Sequence, residues 1–196
     1  VEVRNELMSV ESDIFVSRYI MDAVPFIFND SFMEFIEWKH RIAKALKIDP
    51  RDIIITGSAC LGVSLNPQKN FKKFDATSDI DIGIISPHYF GIAWHEIRNL
   101  DLTNLDTRSR TKINDHKNRL IFYGTIAMDQ IWEKISFGIQ WNNALTEIKL
   151  KYDDGDEDIG NREWHYRIYM DHKAFRDYQI NSIKTAKEKM LESNNG

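Results

Sequence analysis

The spacing of apolar residues predicts helices at both ends of the chain and short strands between them. Leu7, Val10, Ile14, Ile20 and Met21, with Phe15 and Tyr19 between them, fit one amphipathic helix over residues 6–22, stopped before Pro25. Ser31 stands where an N-cap belongs, and Phe32, Phe35, Ile36, Ile42, Ala43 and Leu46 mark a second helix that ends before Pro50. Three consecutive isoleucines within 52–56 read as a buried strand. A second strand is predicted over 79–85, where Ile80, Ile82 and Ile84 alternate with Asp79, Asp81 and Gly83 until Ser86-Pro87 ends the run. Residues 63–77 read as a loop, 88–100 as an aromatic-rich helix and 101–120 as polar helix plus loop. The apolar run 120–128 fits either a strand or a buried loop. Short helices are expected over 129–137 and 142–150, an acidic hairpin loop over 153–158, a third strand over 163–170 and a last helix from 171 to about 190.

This order predicts an α+β fold, a small mixed β-sheet packed with helices. At 196 residues, 42% of them hydrophobic and 12% aromatic, the chain suits one domain with a sizeable core. Its expected parts are an N-terminal helical pair (1–50), a core (51–171) carrying a helical insert (101–150), and a C-terminal helix (172–196). The net charge of −4 argues against a general nucleic-acid coat protein. One cysteine excludes an internal disulfide and fits a reducing compartment. No apolar run approaches the ~20 residues of a membrane span, and no secretory signal pattern is visible, so the expected location is the cytoplasm, without a membrane partner.

The second strand carries the chemistry. Residues i and i+2 of a strand share a face, about 6–7 Å apart, so Asp79 and Asp81 point one way while Ile80, Ile82 and Ile84 point into the core. Two like charges so close are costly unless a cation joins them. A hard divalent cation accepts one or two carboxylates together with substrate phosphates. Upstream, the strand 52–56 runs into Gly57-Ser58 and a short helix. Gly57 tolerates backbone angles that other residues avoid, and a helix start presents free N–H groups to a phosphate.

A strand, Gly57-Ser58, a short helix and then Ser78-Asp79-Ile80-Asp81 on a second strand resemble the DNA polymerase beta-type nucleotidyltransferase superfamily. The matching core covers roughly residues 52–86. The resemblance implies that superfamily's mixed sheet, Mg²⁺ (or Mn²⁺) as cofactor and an NTP as substrate. It implies that Asp79 and Asp81 ligate metals and that Gly57 and Ser58 grip the terminal phosphates; Ser78 and Lys73, nearby, are the further candidates for nucleotide contact. It also implies a third carboxylate from a later strand. Glu163 is the chosen residue; Asp129 and Asp171 are its rivals, and either of those two also fits the N-terminal turn of a helix.

Other features have two readings. Lys69, Lys72 and Lys73 fit a phosphate contact or a solvated loop. Arg108, Arg110, Lys112, Lys117 and Arg119 fit an RNA backbone, though a solvated helix face explains them more simply. Arg167 would share a strand face with Glu163 and His165, where it could meet a carboxylate or a triphosphate. The acidic run lacks the spacing of a calcium loop, and the histidines lack zinc spacing.

The expected function is metal-dependent transfer of an NMP from an NTP onto an RNA or protein acceptor, with release of pyrophosphate. By resemblance, a partner protein and a bacterial toxin–antitoxin or phage-defence setting are implied. Two other readings stand beside it: an antibiotic-type enzyme acting on a small molecule, and a non-catalytic nucleotide-binding or antitoxin-like module.

Overall fold

The structure is a computed structural model that describes residues 2–29, 31–153 and 157–194. Its centre is a four-stranded mixed sheet in the order β1-β2-β4-β3, formed by β1 (Ile53–Thr56), β2 (Ile80–Ile85), β3 (Thr125–Ala127) and β4 (Trp164–Tyr169). β1 runs antiparallel to β2, β2 parallel to β4, and β3 antiparallel to β4. The helices are α1 (Glu2–Ser9), α2 (Ser12–Val16), α3 (Phe32–Leu46), α4 (Gly57–Leu61), α5 (Pro87–Asn99), α6 (Thr107–Asp115), α7 (Met128–Ile131), α8 (Gly138–Asp153), α9 (Glu157–Gly160) and α10 (His172–Asn194).

Several sequence-based expectations are corrected. The helix over 6–22 breaks at Glu11, whose backbone is not helical, into α1 and α2, the latter continued by a π-helical turn over Ser17–Met21. The break lets Leu7, Phe15, Val16 and Ile20 all be buried. The ambiguous run 120–128 contains a strand, β3, so the insert 101–150 is not purely helical and the strand at 163–170 is the fourth. The helix over 142–150 is longer, starting at Gly138. The acidic run 153–158 is not all loop, since 157–160 are helical; 154–156, like 195–196 of the C-terminal helix, lie outside the described residues. Ser31 sits at the N-cap of α3 without making a side-chain capping bond.

The alternation in β2 and β4 divides the sheet into two unlike faces. Ile80, Ile82, Ile84, Trp164, Tyr166 and Ile168 form the apolar face, where Trp164 packs against Trp38 of α3 with ring centroids 5.7 Å apart. At one end the other face is covered by α10. There α10 lays Phe175 so close to the sheet that a Cβ on Gly83 would lie 2.8 Å from its ring, and Phe175 and Tyr169 stack edge to face at 4.9 Å. The helix is tied from behind by Arg176, which donates to Ser17 Oγ at 2.7 Å, and by Lys187, which donates to the Val10 carbonyl at 2.5 Å. Toward the Asp79 end the same face opens into a cleft.

Two buried side chains fix the strands beside that opening. Arg162 donates to the carbonyls of Asp75 and Ser78 and lies 4.2 Å over the Phe74 ring, clamping the turn that leads into β2. His116 bridges α6 to β3: its Nδ1–H donates to the Lys112 carbonyl at 2.7 Å, so its Nε2 accepts from the Ala127 N–H at 3.1 Å. Only a neutral imidazole makes both bonds. Burial lowers the proton affinity of His116 in the fold, so the unfolded chain binds the extra proton first. Its stabilising contribution is present above about pH 6.5 and is lost as pH falls through the lowered folded value. Melting curves from pH 7.5 to 5 should show a steeper acid loss of Tm for the protein than for His116→Gln. Parallel curves would refute this.

Candidate metal centre

Strand register assembles the site. Asp81 of β2 faces His165 of β4 across a parallel pair, with Thr56 of β1 on its other side. One step toward the cleft mouth, the Ile80 N–H donates to the Glu163 carbonyl at 2.9 Å, which sets Asp79 beside Glu163. Asp129 follows the end of β3, whose antiparallel pairing with β4 carries it to His165. Asp79, Asp81, Glu163, His165 and Asp129 therefore share one face, although they come from three separate stretches of chain.

His165 sits at the centre of these carboxylates. Its Nδ1 lies 3.1 Å from Asp129 Oδ2, while its Nε2 lies 3.9 Å from both Asp79 Oδ2 and Glu163 Oε2. Donor atoms of Asp79, Glu163 and His165 all lie within 4.8 Å of one another, close enough for one ion to gather them. The hydrogen bond to Asp129 raises the proton affinity of His165, against the opposing effect of burial. Burial raises that of Asp81; His165 and Arg167 pull it back, and Asp79 pushes it further up. The Glu163 side chain is 80% exposed and has room to adjust.

The Gly57-Ser58 turn stands directly against this group. β1 runs into α4 without a connecting loop, and Gly57 adopts φ +67°. A Cβ at Gly57 would lie 2.5 Å from Asp81 Oδ2. The glycine is thus required twice, by its backbone angle and by the carboxylate packed on it. Gly57, Ser58, Asp79, Asp81, His165 and Arg167 all line a cleft of about 900 Å³ between the sheet and α10. Arg167 Nη1 is buried and makes no hydrogen bond among the described residues, and the guanidinium lies 5.6 Å from the Tyr178 ring.

Other predicted residues fall elsewhere. Ser78 turns its hydroxyl toward Asp75, 3.3 Å from Oδ1, so this side chain helps to build the turn before β2. Lys73 is exposed and pairs its backbone with Val63, whereas Lys69 lines the cleft. Lys72 donates to Asp75 Oδ1 and to Thr77 Oγ1, and hydrogen bonds from Thr77 first and then Lys72 hold the Asp75 carboxyl down at about 2. Asp171 caps α10, accepting from the Ala174 N–H at 2.7 Å. The basic cluster is largely spent inside the chain. Arg110 donates to the Leu102 and Leu105 carbonyls, Lys112 to Gln130, Lys117 to Arg98, and Arg119 to Asp115.

His165 and Arg162 were not assigned a role from sequence. The alternation of Glu163, His165 and Arg167 was the available signal for His165. Arg162 lies outside any strand pattern and gave none. No family model, curated protein or solved structure matches the chain. Among the described residues, no helix is long and apolar enough to cross a membrane.

Proposed function

We propose that the protein is a divalent-metal-dependent nucleotidyltransferase that moves an NMP from an NTP to an RNA or protein acceptor. The carrying observation is the contact between Asp81 and Gly57: the carboxylates at the start of β2, Asp79 just before it and Asp81 within it, and the Gly-Ser turn meet in one cleft. The strand order, with β1 and β2 antiparallel and β4 added parallel to β2, suits the resemblance that residues 52–86 carry.

Bound metal would supply charge neutralisation for the triphosphate and acidify the attacking hydroxyl. The chain's own groups divide the remaining work. Asp79 and Asp81 would ligate metal, and Glu163 and His165 lie close enough to Asp79 to share its ion. Ser58 and the backbone at Gly57 would bind the terminal phosphates. Arg167 and Lys69, lining the same cleft, offer positive charge to the phosphate chain. In the reaction, the acceptor oxygen bonds to the α-phosphorus, the bond to the bridging oxygen breaks, pyrophosphate leaves, and the hydroxyl proton passes to Glu163. Catalysis of this kind is mostly positioning and electrostatics.

The test is transfer of label from each of the four α-³²P-NTPs, with Mg²⁺ or Mn²⁺, in cell lysate. The expected result is label on RNA or on protein. Label on a low-mass acceptor would replace this reading with the small-molecule enzyme. Metal-dependent nucleotide binding with no label in any fraction would replace it with a non-catalytic module.

A further inference from the structure

We infer that Asp79, Glu163 and His165 form a mixed nitrogen–oxygen site that selects a divalent first-row transition ion over Mg²⁺, with His165 Nε2 as a direct ligand. The inference rests on reading this face as a metal centre, but it does not require nucleotidyl transfer. An all-carboxylate site would leave the choice of ion open. An imidazole at its centre changes the chemistry, because Mg²⁺ prefers oxygen ligands while imidazole nitrogen favours later first-row ions.

The orientation of the ring carries the argument. Nδ1 is engaged by Asp129 at 3.1 Å. Nε2 is 3.9 Å from Asp79 and from Glu163, beyond hydrogen-bond reach of either, so it is not committed to a bond with them. A neutral ring that gives its Nδ1–H to Asp129 presents a lone pair from Nε2 to those two carboxylates. A carboxylate behind one ring nitrogen and a free second nitrogen is the arrangement that prepares a histidine to bind metal. Asp129 is therefore a positioning residue behind the imidazole rather than a third ligand. The competing account is that His165 is an imidazolium that merely offsets the surrounding negative charge; it would then never touch the ion.

The experiment binds Mn²⁺ to the full chain, freed of metal and without nucleotide, and reads it by electron paramagnetic resonance. The unbound-ion signal gives affinity, and electron spin-echo modulation reports any ¹⁴N coupled to the bound ion. Wild-type protein should show ¹⁴N coupling. In competition against bound Mn²⁺, Co²⁺ should displace it at a lower concentration than Mg²⁺ does, because imidazole favours the later first-row ion. His165→Asp should lose the coupling and narrow the gap between Co²⁺ and Mg²⁺. Asp129→Asn should keep the coupling but bind Mn²⁺ about 10–100-fold more weakly. Bound Mn²⁺ without ¹⁴N coupling in the wild-type protein, or equal displacement by Co²⁺ and Mg²⁺, would overturn the inference whatever becomes of the variants. Coupling together with an absence of NMP transfer would leave the inference standing and remove the enzymatic reading. No Mn²⁺ binding at all would remove the metal centre itself.

Discussion

Replacing Asp81 with asparagine should cut nucleotidyl transfer by at least about 10²–10³-fold, the scale on which losing one electrostatic stabiliser acts, while leaving the metal-free protein as stable as before or more so. The two halves of this result have one cause. Asp81 is a partly buried carboxylate two positions from Asp79 on the same strand face, and burial with a like charge nearby raises its proton affinity. A carboxyl whose folded value is raised lowers stability above that value. The neutral amide removes this cost and also removes the charge proposed to ligate metal. Asp79→Asn should behave alike in transfer. The checks are initial rates with labelled NTP and melting temperature in chelator. An Asp81→Asn protein that melts well below the wild type would mean the carboxylate is a structural partner. One that transfers at the wild-type rate would end its catalytic role.

Gly57→Ala should damage stability and site together. A left-handed backbone angle costs a residue with a Cβ roughly 1–2 kcal/mol, which for a chain of this size is a fall in Tm of about 2–8 °C. The added methyl would also press on Asp81 Oδ2, 2.5 Å from the ideal Cβ position. Asp81 must then move, or the turn must. The two contributions separate in a double-mutant cycle with Asp81→Ala, because shortening Asp81 removes the steric clash but not the backbone strain. The expected coupling is favourable: Gly57→Ala should cost less stability in the Asp81→Ala background than alone. Strict additivity in urea or thermal melts would show that the carboxylate does not bear on the glycine in solution.

Much of this site was legible in the sequence because strand periodicity is local. The alternation of Ile80, Ile82 and Ile84 with Asp79 and Asp81 needs only a few residues to declare itself, and β2 indeed separates those two sets. The turn at Gly57 follows the isoleucine strand directly, so its position beside β1 was readable as well. Which residues oppose them was not readable, because register between β2 and β4 is set by packing across the whole insert. Glu163 and Asp129 were both candidates for a third carboxylate. The register puts Glu163 next to Asp79 and places His165 between Asp79 and Asp129. The roles of Ser78 and Lys73 were misleading for a related reason. A hydroxyl or an amine in a loop is assigned by its neighbours in space, and Asp75 and Val63 are the neighbours found. The break in the first helix was hidden because Val10 and Glu11 fit an uninterrupted helical pattern.

The parallel pairing of β2 with β4 also has a temporal side. Asp79 and Glu163 are 84 positions apart, as are Asp81 and His165. Such distant pairs form slowly, since a long loop must close before any contact rewards it. The acidic face is therefore expected to assemble late in folding, with low φ-values at Glu163 and His165 as the measurable sign. The nucleus can organise β1, β2 and their local helices before Asp79 and Asp81 meet the other carboxylates. Repulsion within the finished site should accordingly weigh on how fast the native protein opens, with little influence on how fast it forms.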